Sequence, residues 1–212
     1  MVYCGIDEAG RGSVMGPLAV GIIRTDSDEG LLSLGVKDSK KLTPKKRESI
    51  YEDLVGSYDT YVVEVSASEI DELRKDISLN EIELNMFVEA FNKLTGDVAY
   101  ADCPDVNEAR FSLSMSRKCT GRIVAEHKAD DSYPVVSAAS IIAKVTRDRR
   151  ITEISEEFGK NIGSGYPSDH ITMDFIEKWI KDNGFPPFNT RCSWEPVRRL
   201  MSLAANTKIS DW

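Results

Sequence analysis

Histidine and cysteine are scarce in this chain of 212 residues: two of the first, His127 and His170, and four of the second, Cys4, Cys103, Cys119 and Cys192. Two imidazoles exclude a mechanism built on several. The cysteines show neither a C-x-x-C pair nor zinc-ligand spacing, which points to reduced thiols, some of them buried, and away from a disulfide framework. No apolar run approaches the roughly 18 residues of a membrane span, and the opening Met1-Val2-Tyr3-Cys4-Gly5 has neither the basic nor the apolar region of a secretory leader. A cytosolic protein without membrane partners is expected. Internal repeats and low-complexity linkers are also missing. Basic charge is short as well, with 27 Lys and Arg against 35 Asp and Glu and a net charge of -8. Phosphate binding usually leaves a basic footprint, so this deficit argues at first against a nucleic-acid partner. Its distribution weakens that argument, because the net charge is +2 over residues 1–47, -13 over 48–108, +5 over 109–150 and -2 over 151–212.

What is present is the alternation of an α/β protein. Short apolar runs at 2–6 and 17–23, separated by Gly10, Gly12 and Gly16, predict two strands with a tight connection, and the β-branched run 60–65 predicts a third. Thr43-Pro44 predicts a helix start, with Gly56 as the stop. Capping boxes at Ser66-Ala-Ser-Glu69 and Ser78-Leu-Asn-Glu81 predict two more, the second opening a helix with Ile82, Met86, Phe87, Ala90, Phe91 and Leu94 on one face. Most of the acidic block is then solvated helix surface. Strands are expected at 97–102 and 122–126, a long helix over 137–158, and two tail helices near 169–182 and 194–205. The pattern gives an α/β class with a mixed β-sheet flanked by helices and a C-terminal helical extension.

The sharpest local feature is Gly5-Ile-Asp7-Glu8-Ala-Gly10-Arg11-Gly12, two adjacent acids at the end of an apolar strand followed by a glycine-framed arginine. Asp102 ends a second strand and Asp130 follows a third. If these strands are neighbours, their ends gather four carboxylates, and mutual repulsion makes a hard divalent cation with oxygen ligands their natural neutraliser. Asp after a strand is also ordinary turn chemistry, so each of Asp7, Asp102 and Asp130 taken singly fits a capping role. Gly10-x-Gly12-x-x-x-Gly16 is no dinucleotide loop: the spacing is too long, a strand follows, and Asp7-Glu8 would repel a pyrophosphate.

These residues resemble the type 2 ribonucleases H, specifically ribonuclease HII of the archaeal and eukaryotic kind. The resemblance runs through Gly5–Gly12, Val36-Lys-Asp-Ser-Lys-Lys-Leu42, Lys128-Ala-Asp130, Tyr133–Asp148, Gly163-Ser-Gly-Tyr-Pro-Ser-Asp169 and Arg191-x-Ser-Trp194, in the family's order. Asp131 departs from it, since the family more often has a small residue there, and Asp105 is the fallback for Asp102. The resemblance implies a ribonuclease-H-like fold, with residues 1–170 as catalytic domain and 171–212 as a helical extension packed on it. It implies an endonuclease acting in replication and ribonucleotide excision repair, which cuts the RNA strand of RNA/DNA hybrids and cuts 5′ of single ribonucleotides in duplex DNA. The implied cofactor is Mg²⁺ or Mn²⁺, two ions roughly 4 Å apart held by Asp7, Glu8, Asp102 and Asp130, giving 3′-hydroxyl and 5′-phosphate ends by in-line displacement. Gly10, Arg11 and Gly12 would approach the ribose closely, and Tyr166 would stack on the neighbouring sugar and contact the 2′-hydroxyl.

Two basic groups then acquire a role as phosphate contacts. Lys37, Lys40, Lys41, Lys45, Lys46 and Arg47, with Asp38, give +5 over residues 37–47, and Lys144, Arg147, Arg149 and Arg150 fringe the long helix. Lys45 and Lys46 fit a solvated helix start equally well. Lys40 and Lys41, in the loop before the cap, are the better candidates, joined by Arg47, Lys144 and Arg147. Arg191 and Arg198 are candidates for the DNA strand, Ser39 and Ser140 for capping or phosphate contacts, Trp194 and Phe188 for packing of the tail. His170, at a helix start, is expected merely to be exposed. The resemblance implies a monomer, with contact to a sliding clamp left open because Thr207-Lys-Ile-Ser-Asp-Trp212 has no clear docking pattern. Two rival readings are a hybrid-binding protein that has lost cleavage, which would lack a carboxylate, and another nuclease or integrase on the same architecture.

Overall fold

Strand β1 (Tyr3–Ala9) is apolar as far as Ile6 and acidic beyond it, so one end of it can be fully buried while the other carries charge. A computed structural model describes residues 1–37 and 42–209, among which there are five strands and nine helices. Contacts divide the chain into two units, one of Met1–Ala9, Ala19–Glu64 and Ser78–Thr146, the other of Gly10–Leu18, Val65–Ile77 and Arg147–Trp212.

The first unit holds the sheet. Its strands are β1, β2 (Leu18–Thr25), β3 (Asp59–Val65), β4 (Val98–Asp102) and β5 (Arg122–Glu126), in the spatial order β3-β2-β1-β4-β5. β1 runs antiparallel to β2, with Asp7 opposite Gly21, and parallel to β4, with Ile6 opposite Ala101. β4 runs parallel to β5, with Asp102 opposite Glu126. The mixed sheet is therefore as expected, and β5 coincides with the run 122–126.

Helix α7 (Pro134–Phe158) lies against this sheet so closely that glycine is required beneath it. A Cβ at Gly5 would stand 2.1 Å from the carbonyl oxygen of Val135, and one at Gly21 would stand 2.7 Å from that of Ala139. Val135, Ala138, Ala139, Ile142 and Val145 form the core with Ile23, Leu31, Ile50 and Leu54. Leu31 comes from α1 (Glu29–Leu34), a short helix closed by Gly35 in the left-handed region. Ile50 and Leu54 come from α2 (Pro44–Ser57), opened by the Thr43 side chain, which accepts from the Lys46 amide. α2 continues through Gly56, the expected stop. A single glycine costs about 1 kcal/mol in a helix, less than the burial of Ile50 and Leu54 returns.

Both capping boxes form, at the starts of α3 (Ala67–Leu73) and α4 (Leu79–Lys93). α4 buries Ile82, Met86, Phe87, Ala90 and Phe91, with Leu94 as its C-cap. Glu52, Asp53, Glu81 and Glu89 are exposed on their helices, as the acidic block requires, whereas Glu83 is fully buried. The stretch 104–121 contains α5 (Glu108–Ser116), capped by the Asn107 side chain and held by Phe111, whose ring meets that of Phe87 edge-on at 5.4 Å. A single turn, α6 (Ala129–Ser132), follows β5.

The second unit packs Val14, Met15, Ile151, Ile154, Ile162, Ile176, Ile180 and Val197 into its own core. α8 (His170–Asn183), with Asp169 as N-cap and Gly184 as left-handed C-cap, and α9 (Glu195–Ile209) belong to it, as does α3. The expected boundary at 170 falls inside this unit. No helix of the described residues is long and apolar enough to cross a membrane.

Candidate active site

Parallel pairing of β1 with β4 carries Asp7 and Asp102, one residue past the Ile6–Ala101 pair, to adjacent strand ends. Asp7 is buried to 5% exposure, and Glu8 and Asp102 are half-buried. One carboxylate oxygen of each lies within 4.8 Å of those of the other two. Neighbouring residues of a strand face opposite sides, but Glu8, with its longer side chain at the strand end, still reaches the group formed by the other two.

The Asp7 carboxyl is held well above the usual carboxylate range, first by burial and then by the charges of Glu8 and Asp102; the Ser140 hydroxyl and the Glu8 amide oppose this. Its Oδ1 accepts the Glu8 amide at 2.7 Å. Asp102 Oδ1 accepts the amide of Ala129 at 2.9 Å. Three hard oxygen donors so close together, one of them desolvated, suit a hard divalent cation and not a soft metal. Asp130 is buried in α6, next to Ala129, but does not join the three within 4.8 Å among the described residues. Asp131 is exposed. The fallback, Asp105, is engaged elsewhere, with Arg110 Nη2 at 2.5 and 2.7 Å from its two oxygens and the Asn107 amide at 3.0 Å from one.

The candidate cations divide. Lys144 is exposed on α7, and Arg47 is half-buried, with Nη2 donating to the Leu42 carbonyl at 3.1 Å. Lys40, Lys41 and Ser39 lie outside the described residues.

In the second unit, Gly10 has φ 91°, and a Cβ there would meet the Pro17 carbonyl at 2.5 Å; Gly12 is exposed with open space around it. Two arginines expected to contact nucleic acid prove to be internal supports of this loop. Arg147 is 2% exposed. Its Nη2 donates to Ser13 Oγ at 2.7 Å and to the Ser164 carbonyl at 2.6 Å, Nη1 pairs with Asp148 at 3.0 Å, and the guanidinium lies 4.4 Å from the centroid of the Tyr166 ring. The helical register explains its burial, since Ala143, Arg147 and Ile151 recur every fourth residue, and that signal is visible in the sequence. Arg191 is fully buried, with Nε and Nη2 on the Gly16 carbonyl at 3.2 and 3.1 Å and Nη1 on that of Arg11 at 3.0 Å. The fork of Arg191 is thus spent on the loop, and both Nη nitrogens of Arg147 are spent on Ser13, Ser164 and Asp148.

Trp194 packs as expected, with Arg74 and Arg191 each 4.9 Å from its ring centroid. Phe188 stacks on Phe158 at 4.0 Å although it is half-exposed, and His170 is exposed. Two features have no clear mark in the sequence: the Ala129 amide on Asp102, and the left-handed backbone of Lys128 that precedes it.

A mixed sheet flanked by helices, with carboxylates gathered at adjacent strand ends, defines the ribonuclease-H-like class. The family model described as ribonuclease HII matches residues 4–197. A ribonuclease HII of Methanospirillum hungatei is 45% identical over 215 residues, covering 100% of both chains, and one of Thermococcus sibiricus is 46% identical over 92% of this chain and 89% of its own. Ribonuclease H2 from Pyrococcus horikoshii superposes with a TM-score of 0.90 at 42% identity, covering 97% of this chain and 99% of that one. The PCNA:RNase HII complex from Archaeoglobus fulgidus gives 0.88 at 42% identity over 93% of this chain and 96% of its counterpart. The chain belongs to the ribonuclease HII family, endoribonucleases that cleave the RNA strand of RNA/DNA hybrids.

Proposed function

We propose that this chain, beyond hydrolysing RNA in hybrids, cuts duplex DNA on the 5′ side of a single embedded ribonucleotide. The observation that carries the chemistry is the convergence of Asp7, Glu8 and Asp102 within 4.8 Å. These three would hold Mg²⁺ or Mn²⁺, with the buried Asp130 as a further ligand. Bound divalent cations supply Lewis-acid polarisation of the phosphoryl group and a more acidic water. The water oxygen bonds to phosphorus as the bond to the 3′-oxygen breaks, so the products are a 3′-hydroxyl and a 5′-phosphate.

Recognition of the ribose falls to the Gly10-Arg11-Gly12 loop, separated from Glu8 in the chain by Ala9 alone, and to Tyr166. Gly12, exposed and with open space where a Cβ would stand, leaves its backbone open to close approach. Arg147 beneath the Tyr166 ring and on Ser13 supports a loop and ring held ready before substrate arrives. Lys144, Arg47, Lys40 and Lys41 are proposed to contact phosphates. The chain is proposed to act as a monomer. The Archaeoglobus fulgidus complex supports a sliding-clamp contact as well.

The test is incubation with Mg²⁺ or Mn²⁺ and a DNA duplex carrying one ribonucleotide. Incision at its 5′ side is expected. Cutting confined to long RNA runs would remove the single-ribonucleotide activity, and no cutting with either metal would leave a hybrid-binding module.

A further inference from the structure

Lys128 holds a backbone conformation that lysine does not favour. Its φ is 58° and its ψ 37°, in the left-handed region. There the Cβ of an L-residue crowds the following carbonyl, so glycine is the usual occupant and asparagine the usual substitute. Among the described residues one other non-glycine has a positive φ, and it is an asparagine, Asn189.

The conformation directs a specific group. β5 ends at Glu126, and the left-handed turn swings the chain into α6 so that the next amide, that of Ala129, donates to Asp102 Oδ1 at 2.9 Å. That amide is not free to rotate. Ala129 is fully buried, its carbonyl accepts the Tyr133 amide at 2.8 Å, and the Lys128 carbonyl accepts the Asp131 amide at 3.0 Å. Asp102 is meanwhile one of the three carboxylates within 4.8 Å of one another.

We infer that the left-handed turn at Lys128 is a positioning device for metal binding: it aims the Ala129 amide at one oxygen of Asp102 and so fixes how that carboxylate meets a cation. The inference rests on the reading of Asp7, Glu8 and Asp102 as metal ligands. Hydrogen bonds behind a ligand orient it and tune its affinity, and their loss typically weakens metal binding by about 10-fold to 100-fold. The role belongs to the backbone, so the lysine ammonium is not needed for it. Strain retained beside a functional site fits a geometry that the surroundings impose.

The test separates backbone from side chain. Lys128→Gly and Lys128→Asn keep access to the left-handed region, whereas Lys128→Val, β-branched, loses it. Mn²⁺ binding to the full-length protein is measured by isothermal titration calorimetry, with melting temperature as a check on folding. The Gly and Asn variants are expected to bind Mn²⁺ as the parent does, and the Val variant about tenfold more weakly or worse. A folded Val variant with parental affinity overturns the inference. So does a loss in the Gly and Asn variants equal to that in Val, which would assign the effect to the ammonium. Should the Val variant not fold, Lys128→Ala decides: it lacks the ammonium but can share the lysine backbone, so parental affinity is expected and a tenfold loss overturns the proposal. Absence of Mn²⁺ binding to the parent protein would instead remove the metal reading itself.

Discussion

Asp7 is buried beside two other carboxylates, an arrangement that folding alone does not reward. Its folded carboxyl holds a proton at pH values where the unfolded one has released it. The metal-free protein therefore loses stability as pH rises above the ordinary carboxyl range, and the loss is complete above the raised folded value. Asp7→Asn is expected to make the protein in chelator more stable at neutral pH by about 0.5–2 kcal/mol, read by urea denaturation. The same variant, like Asp102→Asn, should bind hybrid yet cut it at least ~100-fold more slowly. Retained cleavage in either with Mg²⁺ would sink the ligand assignment. Glycines divide by their surroundings. Gly5→Ala drives a Cβ into the Val135 carbonyl and should destabilise by about 3 kcal/mol or more. Gly12→Ala should leave stability within about 0.5 kcal/mol while raising KM for a ribonucleotide-containing duplex, and an unchanged KM would remove Gly12 from recognition. At this scale acid pairs, glycine spacing and strand ends were readable from sequence. Burial of Arg147 follows a helical spacing that the sequence contains, whereas that of Arg191 has no such mark, because a charge pattern shows where a guanidinium begins and not which carbonyls it will reach.

Among elements, those with strong local chemistry were legible. The run 122–126 is β5, and the Ser66 and Ser78 capping boxes open α3 and α4. Legibility failed where long-range packing decides. Gly56 does not stop α2, because Ile50 and Leu54 are already committed to the core, and α5 rests on Asn107 and the Phe87–Phe111 contact more than on propensity. α5 also carries a pH signature. Burial pushes the Asp105 carboxyl up, but hydrogen bonds and charge from Arg110 and the Asn107 amide outweigh it and leave the group below its usual range. Its contribution is present above the unfolded carboxyl pKa and disappears as pH falls through the lower folded value. Asp105→Asn should therefore cost about 1 kcal/mol at neutral pH. Chemical denaturation at descending pH should show that gap narrowing through the acid range. A gap independent of pH would mean the ion pair contributes little.

For the whole molecule, the deficit of basic charge is a matter of placement, since much of the acid of 48–108 lies on exposed helix surface. Four phosphate contacts, by Lys40, Lys41, Arg47 and Lys144, would give a slope of about -3 to -4 in log affinity against log salt. Lys40→Gln with Lys41→Gln should reduce that slope by about 2, and Glu52→Gln should leave it unaltered. A slope near zero in the parent would deny the basic segments any part in binding. The arginine that holds the glycine loop sits far away in sequence: Arg191 reaches back across 180 residues to the Arg11 carbonyl and 175 to that of Gly16. Contacts of such separation form late, after the entropy of closing a long loop has been overcome. During synthesis the loop at Gly10–Leu18 emerges early, but it stays without this support until Arg191 has left the ribosome. A nascent chain thus carries the glycine loop unbraced until Arg191 has been made, and the ribose recognition proposed for that loop would come only after it.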